Sequence, residues 1–238
     1  MPTLISLSVP LALLALGLPL SSSPDSAAHS PLAQGPGHPS PAVAPPPGAL
    51  NLTYMRRASY SVASAEQLAK YANLGGWGSS GNRSRTVGAA EAGAGALRVI
   101  VDGTATSTGR VAGHRLRIVN GTADTVLFDA QDSQLSLNLQ ARNRLGQWQD
   151  IEYVPSSWCG NSYHTVFLAP GQYWQLTVPA YTGKLATKLR AKLLRQDPQA
   201  PGKSLTVYSN EFEGRINPGQ FGRKEGHVPQ DIMDPYNE

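Results

Sequence analysis

The chain has 238 residues, room for one ordinary domain with extensions, and only 15% of them are charged, so much of its surface must be neutral and polar. A formal charge of +4 is too slight to mark a nucleic-acid or membrane binder, and no nucleic-acid partner is expected. One cysteine, Cys159, excludes an intrachain disulfide and a cysteine-based zinc cluster, so stability has to come from a hydrophobic core.

Leu4 to Leu20 is uncharged, Leu-rich and broken by Pro10 and Pro19. It is short for a membrane helix and suits the apolar region of a signal peptide spanning 1–28, with small residues at Ser23 and Ala28 for cleavage. No Lys or Arg precedes the run, which leaves an uncleaved anchor as the alternative and the only expected membrane contact. The chain is therefore expected to be secreted, periplasmic or at the cell surface. Residues 29–50 are Pro, Ala, Ser and Gly with almost no bulky apolar side chains, and read as a disordered spacer.

Residues 51–96 read as a poorly ordered segment with one short helix at about 65–74. Ser64 and Gln67 fit a capping box, and Gly75-Gly76 is the stop. Asn51, Asn82 and Asn120 each begin a glycosylation sequon, relevant only in a eukaryote.

From Leu97 the hydrophobic period becomes two. Leu116 and Ile118 oppose Arg115, Arg117 and Val119, and Val126 and Phe128 follow a connection through Asn120-Gly121. Leu135, Leu137, Leu139 and Ala141 alternate strictly with Ser136, Asn138 and Gln140. Trp148, Ile151 and Tyr153 are unevenly spaced, as a bulge would make them. Val166 and Leu168 end at Ala169-Pro170-Gly171, and Trp174, Leu176 and Val178 return. Leu185 to Leu193 fits a helix as well as a strand. The strand is preferred, because it lies between strands and Lys188, Arg190 and Lys192 alternate with apolar residues. Leu205, Val207 and Ser209 give the last strand, and 215–238 is a polar tail.

Strands this close in sequence leave no room for helical crossovers, so an all-β, antiparallel two-sheet sandwich is expected over 97–214. In architecture alone this stretch resembles immunoglobulin- and fibronectin-type domains. The resemblance implies a core tryptophan, for which Trp148 is the candidate. The paired cysteines of antibody domains are missing.

Three sets of residues invite function. Cys159, His164 and, from another strand, His114 match the thiolate and imidazole ligands of a small copper protein, although Met55 and Met233 lie outside the expected sandwich and supply no axial ligand. Cys159 with His164 as base is the hydrolytic version; no G-x-S-x-G occurs, and Asp150 and Glu152 read more simply as solvated. Against both stands a structured loop in which Cys159 only fills space. Trp158, Tyr163, Tyr173 and Tyr181 form a second set, an aromatic group near loops that binds glycan or protein or else belongs to the core. Lys188, Arg190 and Lys192, with Lys184 and Arg195 nearby, form a basic stripe that either docks a partner or guards an edge strand. The expectation is a non-enzymatic binding or surface-assembly module without a cofactor, whose partner is a protein or polysaccharide at the cell surface. The alternatives are a metal-binding domain and an unrecognised hydrolase.

Overall fold

The computed structural model describes residues 48–64, 80–88, 95–108, 111–156 and 162–226. The expected leader, most of the spacer, the helix at 65–74, Trp158 and Cys159 lie outside these residues. Among those described the chain is mostly strand, in several antiparallel sheets, with no α-helix.

The strands in chain order are β1 (Arg56–Arg57), β2 (Arg85–Thr86), β3 (Leu97–Val101), β4 (Thr106–Thr108), β5 (Val111–Asn120), β6 (Val126–Gln131), β7 (Gln134–Leu135) and β8 (Leu137–Arg142). Then come β9 (Trp148–Asp150), β10 (Glu152–Tyr153), β11 (Tyr163–Leu168), β12 (Gln172–Pro179), β13 (Leu185–Gln196), β14 (Ser204–Tyr208) and β15 (Phe212–Ile216). One five-stranded sheet has the order β2-β12-β5-β3, with β4 also on β5. A second has the order β14-β13-β8-β9, with β15 also on β13. A three-stranded sheet runs β11-β6-β7, and β1 pairs in parallel with β10.

The period-two pattern explains which faces meet. Val99, Val101, Leu116, Ile118, Trp174, Leu176 and Val178 from the first sheet join Leu137, Leu139, Ala141, Leu189, Ala191, Leu193 and Phe212 from the second in a single buried cluster. Burial of these faces is the main force holding the sheets. Trp174 is the core tryptophan, fully buried, edge-on to Phe128 at 5.3 Å, with its indole N–H donating to the Ala63 carbonyl at 2.8 Å. Trp148, the residue singled out by the immunoglobulin resemblance, instead sits half-buried outside the core. It opposes Arg142 across the β8–β9 ladder, and so shares the outward parity of that strand.

The stretch 185–196 is a strand, and its alternation holds: Leu189, Ala191 and Leu193 are buried while Lys188, Arg190 and Lys192 are not. β14 and β15 run end to end along one side of it. Lys192 faces Tyr208 and Leu189 faces Phe212, so two residues of β13 lie opposite three of the partner. The extra residue is a β-bulge at Ser209–Glu211. It turns the Asn210 side chain toward β3, where its amide accepts from Val101 N at 2.8 Å and donates to Val101 O at 2.9 Å. The edge of the first sheet is thereby stitched to the second.

The core also draws on residues outside 97–214. Ala58, Tyr60 and Val62, from the segment expected to be poorly ordered, are buried in it. So is Ile216, from the expected tail. Residues 48–64 form a strap across the sheets. Leu50 bridges Tyr181, Met55 bridges Lys224, β1 lies on β10, and Ser61 bridges Gln134. The tight β6–β7 turn is Asp132-Ser133, with φ of 47° and 64°. Both are left-handed, as a two-residue hairpin of this hand requires, yet no Asn-Gly or Asp-Gly marks it in the sequence.

Candidate functional site

The outward face of β9, β8, β13 and β14 carries an array of cations and rings. Sheet register puts it there: Arg142 faces Trp148, Gln140 faces both Asp150 and Arg190, and Lys192 faces Tyr208. The Arg190 guanidinium lies 4.2 Å from the Trp148 ring centroid and 3.7 Å from that of Tyr208, and Arg142 lies 5.0 Å from Trp148. Arg190 Nε donates to Gln140 Oε1 at 2.9 Å, and Gln140 Nε2 donates to Asp150 Oδ1 at 2.7 Å. Lys192 reaches Asp150 at 3.4 Å, Lys188 reaches Glu213 at 2.5 Å, and Arg142 reaches Glu211 at 2.8 Å.

Each ion pair is worth at most about 1 kcal/mol at such exposure. Their effect is positional: long side chains that would wander in water are held flat against the sheet. At Arg190 and Lys192 the basic stripe does not lie on an edge, because over Leu189–Leu193 strand β13 has β8 on one side and β14 and β15 on the other, whereas at Lys188 β13 is paired with β15 alone. Stacking on sugar rings is also disfavoured, since guanidinium groups occupy ring surfaces that a sugar would need.

Beneath the strap lies a second constellation. β10 separates from β9 at Ile151, and Glu152, expected to be solvated, is fully buried. Its Oε2 accepts from Tyr60 Oη at 2.7 Å and Leu139 N at 3.1 Å, and its Oε1 accepts from Tyr181 Oη at 2.5 Å. Arg56 Nη1 stands 3.8 Å from Oε1. Burial raises the Glu152 carboxyl above the usual range, and the two phenols, Arg56 and the Leu139 N–H offset this only in part. Burial and the neighbouring carboxylate push both phenols well above theirs, so each stays a donor. This is a latch between strap and sheet. Tyr181, read as an exposed aromatic, is one of its buried members.

The other predicted residues scatter. Tyr163 is half exposed on β11, while Tyr173 is half-buried on β12 with Arg117 at 6.0 Å, on another sheet. His114 is buried on β5, its Nδ1 at 3.0 Å from the Asp102 carbonyl and its ring 4.7 Å from Phe212. Burial lowers its pKa, so it is neutral at pH 7 and Nδ1 carries the proton. His164 is half-buried on β11, with Nδ1 3.2 Å from the Ser162 carbonyl. Among the described residues no three His, Cys, Asp or Glu side chains gather as metal ligands. A cleft of about 700 Å³ opens between Leu97, Thr122, Asp124, Arg195, Asp197 and Val207, with no His or Cys in its lining. Asn120 and Asn82, two of the sequon asparagines, spend their amide N–H groups on backbone carbonyls, and Asn120 is fully buried.

Sequence reasoning found Lys188, Arg190 and Lys192 but not Trp148, Tyr208 or Arg142 as their partners. Parity along each strand shows which residues share a face, but not which strands are neighbours. The chain matches no family profile, and comparison with curated proteins finds no significant relative. Among the described residues no helix is long and apolar enough to cross a membrane.

Proposed function

We propose that this chain is an exported, non-enzymatic β-sandwich module, immunoglobulin-like in architecture, that docks a protein partner through the outward face of β9, β8, β13 and β14. The leader-like segment supports export, and the cluster shared by the two larger sheets supports the sandwich. The observation that carries the docking reading is Arg190 held between Trp148 and Tyr208. Trp, Tyr and Arg are the residue types that dominate binding energy at protein interfaces. Here they are already ordered, which lowers the entropy lost on association.

The test is a photo-crosslinking residue at Thr206, on the same strand parity as Tyr208, in the full chain expressed in its own cells. The same residue at Leu145, which is 82% exposed in a turn, is the control. The expected result is a discrete adduct from position 206 that disappears with Trp148→Ala plus Arg190→Ala while the unfolding midpoint is kept. Equal adducts from both positions, or adducts indifferent to the double variant, would sink the docking face.

A further inference from the structure

The charges on the outward face of β9, β8, β13 and β14 do not cancel evenly. Along β8 and β13 four cations stand on it, Arg142, Lys188, Arg190 and Lys192. Three have an acid of their own: Glu211 for Arg142, Glu213 for Lys188 and Asp150 for Lys192. Arg190 has an amide instead, its Nε donating to Gln140 Oε1 at 2.9 Å. Of these four, the charge without a counter-charge is that of Arg190. The rings of Trp148 and Tyr208 close on its guanidinium from opposite sides, since β9 lies beyond β8 on one side of β13 and β14 lies on the other. What stays unspent is the outer edge, the two Nη atoms with their four N–H donors. Neither Nη is buried, and neither has a hydrogen-bond partner among the described residues. The Trp148 indole N–H and the Tyr208 hydroxyl are further donors without a partner among those residues.

We infer that an acidic side chain, Asp or Glu, of a protein partner seats on the Nη edge of Arg190 between Trp148 and Tyr208. The inference rests on this face being a docking surface and names the group that it receives. A carboxylate is planar, so it can lie in the plane of the guanidinium with one oxygen on each Nη. A phosphate or sulfate is tetrahedral and sets oxygens above and below that plane, on the sides that the two rings occupy. The rings also keep water from the pair, which strengthens it. Gln140 and the rings already hold the guanidinium still, so less freedom is lost when the carboxylate arrives. A basic or apolar partner group in this place would cover Arg190 without giving it a counter-charge, which is costly. The donors around it, Nη, indole N–H and phenol O–H, all ask for an acceptor.

Arg190→Lys puts a primary amine in this place, and a carbodiimide joins an amine to a carboxylate in contact with it through an amide bond. The full chain carrying Arg190→Lys is treated with a carbodiimide in an extract of its own cells, and the linked peptides are read by mass spectrometry. The expected result is an amide from position 190 to an Asp or Glu side chain of the same protein that the photo-crosslinker at Thr206 captures. Arg190→Gln, which removes the charge, lowers the Thr206 adduct at least about tenfold, as loss of a charge-assisted pair should, and Arg190→Lys lowers it less. Either variant decides the matter alone if the other does not fold. If no Thr206 adduct forms, the docking face itself fails and this inference with it. A Thr206 adduct unchanged by Arg190→Gln would overturn this inference alone. So would a position 190 that links only within its own chain, to the partner's chain terminus, or to a phosphate as a phosphoramidate.

Discussion

Glu152 is a carboxyl buried among donors, and its protonation is linked to folding. Its folded pKa is raised above that of the unfolded chain, about 4.3. The native state therefore holds this proton more tightly than the unfolded one. Its contribution is fully present below the unfolded pKa and is lost as pH rises through the folded value. His114 runs the other way: its folded pKa is lowered, so its contribution is present above the unfolded value, about 6.5, and is lost as pH falls. In denaturant unfolding across weakly acidic pH, the native chain should lose stability relative to Glu152→Gln as pH rises, the His114 contribution being common to both. Identical pH profiles for the two proteins would refute the linkage. Glu152→Ala should cost about 3 kcal/mol at neutral pH, because it strands the Tyr60 and Tyr181 hydroxyls without an acceptor. A loss under about 1 kcal/mol would mean that water replaces the carboxylate without penalty.

The β13 ribbon shows what an element can reveal through its own residues. Its alternation was legible because Leu189, Ala191 and Leu193 follow period two, and the structure keeps them buried. The end-to-end continuation into β15 was not legible. Phe212 and Ile216 are buried apolar residues separated by Glu213, Gly214 and Arg215, a pattern too sparse to stand out from a polar tail. The Ser209–Glu211 bulge leaves no signature either, since its consequence is a contact with Val101, over a hundred residues earlier. Asn210→Ala should lower stability by about 1 to 2 kcal/mol through two lost hydrogen bonds, measured by urea unfolding. Unchanged stability in that variant would show that the amide does not stitch the sheets. Gly214 is constrained within the same ribbon, because a β-carbon there would run into the Leu189 side chain.

At the scale of the molecule, the strap decides what can fold alone. The alternating strands suggest a unit beginning at Leu97. However, Tyr60 Oη reaches Glu152, Tyr60 O accepts from Leu135 N, and Val62 N donates to Ser133 O. None of this is legible in residues 51–64, where Ala58, Tyr60 and Val62 alternate too briefly to announce a core strand. A chain of residues 97–214 should bind a hydrophobic dye and lack near-ultraviolet dichroism. A chain of residues 41–238 should unfold cooperatively. Native-like dichroism from the shorter chain would show the strap to be dispensable. The docking face is likewise a property of the assembled sheet: β9 supplies Trp148, β13 supplies Arg190, β14 supplies Tyr208, and Gln140 from β8 fixes the guanidinium.

The strap also imposes an order in time. Met55 N donates to Arg223 O, Glu225 N donates to Met55 O, and Arg57 N donates to the Glu225 carboxylate. Residues among the first of this unit to leave the ribosome thus wait for nearly the last before their bonds can close. Long-range closure of this kind is slow, because its loop entropy is lost before the contacts form. The strap at residues 55–57 cannot close until residues 223–225 have been made. Under the export proposed above, a chain passing through a membrane in extended form would close this strap only on the far side.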